Sequence, residues 1–309
     1  MRILVTGGAG FIGSHIVDAF VEAGHDVAVV DNLATGRRSN VNRAARLYEV
    51  DIHAREFERI VADFRPEVIS HHAAQASVKV GQADPVHDLE VNGGGTARVC
   101  ALAIQYGVRK IIYASSGGTV YGEPRTLPVP EDHPIAPRSN YGASKYVGEL
   151  YVELAARTAG IEFTTFRYGN AFGPRQDPHG EAGVVAIFTG LMLAGQPCTI
   201  DGDGEQRKDY LYVADIARAN LLALEAGNGL VANIGTGIGT TVNEIYRVLS
   251  EATGNTVPPR HGPPRPGDVR NFWLDCTRAR EVLGWQPEVS FEEGIRRTVE
   301  AFRSAAGAR

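Results

Sequence analysis

The chain has 309 residues, of which 43% are hydrophobic and 22% charged, with a formal net charge of −5 at pH 7. This composition is typical of a globular protein and excludes disordered, collagen-like and fibrous classes. Because 36 acidic residues outnumber 31 basic ones, we expect no general affinity for nucleic acid or for an anionic membrane. No apolar run approaches the about 18 residues of a membrane span, and no signal-peptide core follows the N-terminus. We therefore expect a soluble, cytoplasmic protein.

Short β-rich runs alternate with helical stretches through the first half of the chain. The predicted strands are 3–6, 27–30, 47–50, 68–70, 110–114 and 163–167. The predicted helices are 11–23, 56–63, a long segment that ends at Tyr106, and 142–158. The second strand is continuous in apolar residues, as in a parallel sheet that is covered on both faces. The alternation predicts an α/β fold with a doubly wound, Rossmann-type parallel sheet.

Gly and Pro residues concentrate later in the chain, at 169–183, 202–204 and 258–267, which indicates loops. We therefore expect a smaller mixed α/β domain toward the C-terminus that closes over a ligand. The expected bounds are 1–168, with a return of the chain at 211–241, for the first domain, and 169–210 with 242–309 for the second.

No cluster of residues in the sequence has the spacing of a metal site. Cys100, Cys198 and Cys276 lie far apart, so we interpret them as reduced packing thiols. His71 and His72 are adjacent strand residues, whose side chains point to opposite faces. The segment 201–205 resembles a calcium loop only superficially, because it lacks the turn glycine and the terminal Glu of that loop. A turn between strands is predicted there instead.

A glycine-rich turn joins the first predicted strand to the first helix. Its Gly-x-x-Gly-x-x-Gly spacing permits a tight turn and a close approach of backbone to a pyrophosphate at the positive end of the helix. Asp31 ends the second strand, where its carboxylate can accept both ribose hydroxyls of an adenosine and repel a 2′-phosphate. The pattern predicts a site for NAD rather than NADP. The candidate residues in the turn are Gly7, Gly10, Phe11, Ile12 and Gly13.

Residues beyond the second and third strands are candidates for contact with the adenosine half of the cofactor. Asn32 begins the loop after the second strand. Asp51 and Ile52 are predicted to end the third strand, where they either contact adenine or form a plain strand-end turn. Arg37 and Arg38 lie in the next loop and could receive a phosphate, but we interpret them as solvated loop charges.

Tyr141 and Lys145 stand four residues apart on a predicted helix and so share one face. A phenol with a pKa of about 10 is a poor base at neutral pH. We expect the adjacent ammonium, together with the positive nicotinamide ring of bound NAD, to lower that pKa enough for the phenolate to act as a base. The hydroxyls of Ser116 and Thr119 follow the strand 110–114, at the carboxyl edge where such sheets bind ligands.

These motifs together resemble the extended short-chain dehydrogenase/reductase family, and within it the UDP-galactose 4-epimerases. The resemblance covers nearly the whole chain and also rests on residues 71–75, Asn92, 167–170 and 265–268. It implies that Tyr141 is the catalytic base and acid and that Lys145 is its partner and a cofactor ligand.

The resemblance also implies further cofactor contacts and a substrate site. The implied cofactor contacts are Ala73, Ala74, Gln75, Asn92 and Tyr168. The implied substrate contacts are Ser116, Thr119, Asn170, Val184, Arg207, Lys208, Arg265, Asp268 and Phe272. Among them, Asn170, Arg265 and Asp268 would hold the nucleotide diphosphate and ribose. Phe272 would lie beside the C2 substituent of the sugar, the alternative being that it merely packs in the core, and Tyr168 would lie against the nicotinamide.

Three departures from the family pattern bear on these roles. Gly117 stands where the epimerases usually carry Ser or Thr, so Ser116 is the candidate hydroxyl and Thr119 the alternative. Lys208 stands where Arg is usual, so the grip on the diphosphate weakens or passes to the neighbouring arginine. Residues 93–95 are three glycines within a predicted helix, each costing up to about 1 kcal/mol relative to Ala. A close approach to the cofactor could justify one of them.

The implied reaction is inversion at C4 of a nucleotide-linked hexose, with NAD that stays bound and a UDP-hexose as substrate. Dehydratases and decarboxylases of this fold carry a carboxylate where this chain has 117–119, Gly-Gly-Thr. A UDP-glucuronate or UDP-N-acetylhexosamine 4-epimerase is the alternative within the class, and a non-catalytic NAD-sensing module is the alternative outside it. Relatives commonly dimerise through two long helices, here 98–106 and 142–158. We expect a homodimer, unless their apolar residues cover only the sheet.

Overall fold

The computed structural model describes residues 1–178, 183–265, 267 and 269–307. The strands are β1 (Arg2–Thr6), β2 (Asp26–Asp31), β3 (Arg46–Glu49), β4 (Val68–His71), β5 (Lys110–Ser116), β6 (Glu162–Tyr168), β7 (Asn170–Phe172), β8 (Thr199–Asp201), β9 (Arg207–Lys208), β10 (Tyr210–Tyr212), β11 (Leu230–Ile234), β12 (Thr240–Thr241), β13 (Arg260–Gly262) and β14 (Asn271–Phe272). The helices are α1 (Phe11–Glu22), α2 (Arg55–Phe64), α3 (Val78–Ala83), α4 (Pro85–Leu89), α5 (Gly95–Gln105), α6 (Gly117–Val120), α7 (Asn140–Ala159), α8 (Val184–Leu193), α9 (Val213–Leu222), α10 (Val242–Thr253), α11 (Thr277–Leu283) and α12 (Phe291–Gly307). Across the described ranges, no helix is long and apolar enough to cross a membrane.

Seven strands form one parallel sheet in the order β11-β6-β5-β4-β1-β2-β3. Alternate residues of each central strand face opposite layers of helix. On β1, Ile3 and Val5 pack with α1 and α9, whereas Leu4 packs with α2, α5 and α7. All three side chains are fully buried, which explains why the strand is apolar without alternation. The prediction of a doubly wound parallel sheet is confirmed.

The predicted strands and helices are present, with some displaced ends. The strand β3 ends at Glu49, so Asp51 and Ile52 do not end it as predicted; they lie in the turn that follows. The Val50 amide makes the last contact with β2, at 3.1 Å from the carbonyl of Asp31, and Asp51 then begins a turn in which its carbonyl accepts from the amide of Ala54 at 2.9 Å. In the other direction, β5 continues to Ser116, two residues beyond its predicted end.

The long predicted helix before Tyr106 is in fact three helices, α3, α4 and α5, with a π-helical turn over Glu90–Gly94. The glycines 93–95 lie in that turn and at the start of α5. A Cβ on Gly93 would lie 3.0 Å from Cγ1 of Val147 on α7, and one on Gly95 would lie 2.7 Å from Cδ1 of Ile52. Close packing of this segment on α7 and on the turn after β3 therefore explains the glycines at 93 and 95, for which a close approach to the cofactor was one expected reason.

The C-terminal part of the chain forms three small sheets, β10-β7, β12-β9-β14 and β13-β8. Helices α8, α10 and α12 pack on them around a separate core that includes Phe172, Phe188 and Leu249. A fully buried carboxylate, Asp209, joins this part to the large sheet. It accepts hydrogen bonds from the amide and hydroxyl of Thr236, just after β11, and from the amides of Gly237 and Leu274.

Candidate active site

The glycine turn between β1 and α1 is held by contacts that leave no space for side chains. A Cβ on Gly13 would lie 2.2 Å from the carbonyl oxygen of Gly7, and one on Gly7 would lie 2.6 Å from the amide nitrogen of Ala73. Gly7 also has a φ of 70°, which favours glycine. The helix then begins at Phe11 and Ile12, and its N-cap Gly10 provides no side chain to accept from the first amides. These residues fit the pyrophosphate of a dinucleotide.

Asp31 lies at the end of β2 with 8% of its surface exposed. Its Oδ2 accepts from the amide of Ala9 at 2.9 Å, and its Oδ1 accepts from the amide of Leu33 at 2.8 Å. A carboxylate has about four acceptor sites, so these two bonds fix its orientation and leave sites for ribose hydroxyls. The predicted preference for NAD therefore has a geometric basis.

The other predicted adenosine-side residues meet at the same edge of the sheet. Nδ2 of Asn32 donates to Oδ2 of Asp51 at 2.7 Å, and Ile52 is buried beside them. Arg37 and Arg38 are exposed and form ion pairs, the first with Asp177 at 3.0 Å and the second with Glu49. This agrees with our interpretation of the two arginines as surface charges.

The segment after β4 is organised by two buried polar residues, Asn92 and Asp88. Asn92 accepts from the amide of Gln75 at 2.9 Å and donates to its carbonyl at 3.0 Å, so it fixes the backbone that follows Ala73 and Ala74. Asp88 accepts from Nε2 of Gln75 and, at 2.6 Å, from Oγ of Ser144 on α7. Sequence analysis missed Asp88, because a lone acidic residue in a helical stretch carries no signal.

Tyr141 and Lys145 lie on one face of α7, whose N-cap Ser139 accepts from the amide of Gly142 at 3.1 Å. Burial, and secondarily the charge of Asp88, raises the pKa of Tyr141 to about 12, against a lowering effect of a hydrogen bond with Ser116. Burial lowers the pKa of Lys145 to about 8, while nearby carboxylates act to raise it. The protein alone thus raises the pKa of the phenol, and the lowering that we expect requires the positive ring of bound NAD.

The strand end brings the candidate hydroxyls near Tyr141. Ser116, the last residue of β5, lies near enough to the phenol of Tyr141 for its hydroxyl to act to lower the pKa of that phenol. Thr119 lies on α6, and its Oγ1 is buried without a hydrogen-bond partner among the described residues. At Gly117 a Cβ would lie 2.9 Å from Cδ1 of Leu274 and 3.1 Å from the carbonyl oxygen of Arg167. This close packing accounts for the glycine at the position where relatives usually carry a hydroxyl.

Two histidines and a tyrosine line the carboxyl edge of β4 and β6. The ring of His72 stacks on that of Tyr168 with centroids 6.4 Å apart, and the phenol of Tyr168 accepts from Asn220 at 2.8 Å. His71 contacts Oγ1 of Thr6 at 2.6 Å, so it belongs to a buried hydrogen-bonded chain. Over the described ranges, no group of three or more His, Cys, Asp or Glu side chains is placed to hold a metal ion.

The predicted substrate residues gather on the small sheets. Asn170 is exposed and donates to the carbonyl of Asp209, and Val184 begins α8. Lys208, on β9, is registered opposite Phe272 on β14, and its ammonium donates to the carbonyl of Val269. Arg207 is exposed beside it.

The remaining substrate residues lie on or next to the segment 263–272. Arg265 is 75% exposed at its side chain and pairs with Asp201 at 2.5 Å. Asp268 lies outside the described residues. Phe272 is only 2% exposed and packs near Tyr121, with ring centroids 6.4 Å apart. Phe272 belongs to a buried cluster with Val120, Val129 and Leu274. The predicted substrate residues therefore comprise exposed basic side chains and one aromatic ring that packs in the core.

Comparison with known proteins defines the class. Residues 3–235 match the NAD dependent epimerase/dehydratase family. The chain is 52% identical to UDP-glucose 4-epimerase from Thermotoga maritima, solved with UDP-glucose; the match covers 99% of this chain and 100% of that one, with a TM-score of 0.97. It is 47% identical to UDP-glucose 4-epimerase from Thermus thermophilus, solved with NAD, over 99% and 100% of the two chains (TM-score 0.93). A UDP-glucose 4-epimerase from Mycolicibacterium smegmatis is 46% identical over 98% of this chain and 99% of its own.

The chain therefore belongs to the NAD-dependent epimerase/dehydratase family, and the family resemblance predicted from the sequence is confirmed.

We predict that Asp31 sets the cofactor preference. Wild-type protein should bind NAD more tightly than NADP. Asp31→Ala should lower the ratio of the NADP dissociation constant to the NAD dissociation constant by more than about tenfold, which is a loss of about 1.4 kcal/mol of preference for NAD. Titration of both dinucleotides measures it, with Arg38→Ala as a control that should leave the ratio unchanged. Equal binding of NAD and NADP by wild type contradicts the assignment.

We also predict that Ser116 supplies the hydroxyl. Ser116→Ala should lower kcat about 10²-fold if its hydroxyl relays or orients the proton at O4 of the sugar, whereas Thr119→Val should have a small effect. Steady-state kinetics of the two variants decides between them. A silent Ser116→Ala together with a damaging Thr119→Val would assign the role to Thr119.

Proposed function

We propose that this protein is an NAD-dependent nucleotide-sugar 4-epimerase that interconverts UDP-glucose and UDP-galactose through a 4-keto intermediate. The observation that carries the proposal is the placement of Tyr141 on α7, one helical turn from the buried Lys145 and beside Ser116 at the carboxyl end of β5. The segment 117–119 contains no carboxylate, which a dehydratase or decarboxylase of this fold would use. The solved relatives described above contain UDP-glucose in one case and NAD in another.

The residues present fit the cofactor, with the tight glycine turn for the pyrophosphate and Asp31 for the adenosine ribose. When bound, NAD supplies a reversible acceptor for the hydrogen at C4. Tyr141, as phenolate, takes the proton of the 4-hydroxyl, and Ser116 orients that hydroxyl through its own hydrogen bond. Lys145 holds the negative charge of the phenolate in a site where few water molecules screen it. After the keto sugar turns over, the same phenol returns the proton to O4.

The nucleotide is held, in this proposal, by exposed side chains on the small sheets. Asn170, Arg207 and Arg265 are all exposed. Asn170 and Arg265 each use one N–H, on the Asp209 carbonyl and on Asp201, and keep further N–H donors for oxygens of a diphosphate. The ammonium of Lys208 donates to the carbonyl of Val269. In this proposal Arg207 therefore binds the diphosphate in place of the arginine that the family usually carries at position 208. We further propose that residues 1–168 with 211–241 form the cofactor domain and that 169–210 with 242–309 form the substrate domain.

The test is a panel of UDP- and dTDP-linked hexoses, their N-acetyl forms and UDP-glucuronate, incubated with purified protein and NAD, with separation of the products. Conversion of UDP-galactose to UDP-glucose, abolished in Tyr141→Phe, is the expected result. Preferred turnover of UDP-glucuronate or of an N-acetyl sugar would assign the alternative epimerase activity. NAD binding without turnover of any sugar would assign a sensing module.

We predict that Phe272 excludes N-acetyl sugars. An acetamido group at C2 adds bulk and an N–H that needs a partner beside this buried ring, and each effect costs about 1 to 3 kcal/mol. Wild-type kcat/KM should be about 10²-fold higher for UDP-galactose than for UDP-N-acetylgalactosamine. Phe272→Ser should raise kcat/KM for the N-acetyl sugar. Phe272→Tyr, which keeps the size, should retain the exclusion. Comparable wild-type values would place the gate elsewhere.

We propose that the protein is a homodimer through α5 and α7. Large apolar side chains that are 42 to 49% exposed cluster on these helices and on the neighbouring α4: Leu89, Ile104, Leu150, Tyr151 and Leu154. Leu150→Glu with Leu154→Glu should produce monomers, because charges would face the apolar partner surface. Light scattering after gel filtration measures the mass, with Val282→Glu on α11 as the control. A monomeric wild type contradicts the proposal.

A further inference from the structure

A buried carboxylate stands one helical turn beyond Lys145 on α7. Glu149 is fully buried, and both of its oxygens are engaged. Oε1 accepts from the hydroxyl of Ser115 and, at 3.0 Å, from Nε of Arg167; Oε2 accepts from Nη2 of Arg167 at 2.6 Å. A carboxylate at this depth needs such partners, because burial without them costs several kcal/mol.

The guanidinium of Arg167 is fixed from its other side as well. Its Nη1 donates to the phenol of Tyr121 at 3.0 Å and to the carbonyl of Glu131 at 3.2 Å, and the group lies 4.9 Å from the centroid of the Tyr121 ring. Tyr121 in turn donates to Oδ1 of Asn233 at 2.6 Å. The Glu149–Arg167 pair is therefore held rigidly between α7, β6 and the segment that follows β5.

Several groups face the ammonium of Lys145 from the surrounding elements. They are Asp88 from α4, His71 and His72 from the end of β4, Tyr113 from β5, and Tyr141 and Glu149 from α7 itself. Burial and the charge of Lys145 lower the pKa of both histidines, that of His72 to about 3, so neither histidine is charged at neutral pH. Among these groups, only the carboxylates of Asp88 and Glu149 are negatively charged. Asp88 also accepts hydrogen bonds from Gln75 and Ser144.

We propose that Glu149 is a positioning residue for the reaction, whose buried, Arg167-bound carboxylate keeps Lys145 charged and so sets the upper pH limit at which Tyr141 works as a base. The inference rests on the proposed epimerase function. A residue four positions along a helix lies on the same face, and in a dry interior its charge is felt strongly. Without Glu149, desolvation would favour the neutral amine, which stabilises a phenolate less well than an ammonium does.

The composition of the chain allows a direct measurement. It has four lysines, Lys79, Lys110, Lys145 and Lys208, so lysine labelled with ¹³C at Cε gives a spectrum simple enough to follow each titration. In Glu149→Gln the midpoint of Lys145 should fall by about one pH unit or more, which is a tenfold loss of proton affinity.

Lys110 is the internal reference for this titration. It is also buried, donates to the carbonyl of Ala226 and to Asn228, and has its pKa lowered by burial to about 8. Because it lies at the amino end of β5, away from Glu149, its midpoint should not move.

A matched control and a second variant complete the experiment. Glu153→Gln removes a partly exposed carboxylate one turn further along α7, where it pairs with Arg157 at 3.9 Å, and should leave the titration midpoint of Lys145 unchanged. Because Glu149→Gln leaves the Arg167 cation buried without its partner, the double variant Glu149→Gln with Arg167→Gln removes both charges. It should also lower the midpoint of Lys145, since Glu149 shares the helix face of Lys145. If the titration midpoint of Lys145 is unchanged in both variants, the Glu149–Arg167 pair has only a structural role, and the proposal is overturned.

The kinetic readout is the alkaline limb of kcat/KM for the sugar nucleotide. It should move to lower pH by the same amount as the Lys145 midpoint, with little change in KM. A limb that stays in place while the midpoint moves would separate Glu149 from catalysis and overturn the proposal. A wild-type protein without epimerase activity would refute the proposed function. The titration of Lys145 requires no turnover, so it would still show whether Glu149 keeps Lys145 charged.

Discussion

Lys145 is buried, with only 3% of its surface exposed, and it carries an ammonium group. Negative and polar groups on the surrounding elements compensate that charge. A cation removed from water loses several kcal/mol of hydration, which only nearby negative charge and oriented dipoles restore. Here two carboxylates from different elements and the face of the Tyr113 ring, 4.5 Å from Nζ, surround it. The side chains that surround Lys145 are thus contributed by α4, α7 and β5.

Close packing of α7 on the sheet makes that arrangement possible. A Cβ on Gly148 would lie 2.1 Å from the hydroxyl of Tyr113, so only glycine lets the helix approach β5 this closely. The hydroxyl then donates to the carbonyl of Lys145 at 3.1 Å and anchors the helix where the lysine emerges. Tyr141, one turn earlier, is thereby directed at Ser116 on the strand end. The geometry of the reacting groups is thus set by contacts between the backbone of α7 and the side chain of Tyr113 on β5.

Those features of the fold that depend on local pattern could be predicted from the sequence. Apolar runs such as residues 27–30 indicated buried parallel strands, and the glycine spacing indicated the turn before α1. The Tyr–Lys spacing placed both side chains on one helix face. The end of β3 could not be predicted, since the turn from Asp51 to Ala54 that follows it contains no glycine or proline to signal it.

Features that depend on packing between distant segments could not be predicted. Asp88 and Glu149 become part of the site only because α4 and α7 meet across the sheet edge, and Arg167 reaches Glu149 from β6. Likewise, Gly93 and Gly95 look unfavourable within a helix until Val147 is seen against the first and Ile52 against the second. In each case the partner lies on a different element of the chain, and helical or strand periodicity carries no information about such pairings.

The central claim is that these residues invert C4 by removing a proton at O4 and returning the C4 hydrogen to the same carbon without exchange with water. The most direct measurement is conversion of UDP-galactose that carries deuterium at C4, in ordinary water, with the UDP-glucose product analysed by NMR and mass spectrometry. Our account predicts that the deuterium is retained at C4. Replacement of the deuterium by solvent hydrogen at C4 would show that the carbon itself is deprotonated, and would contradict the account.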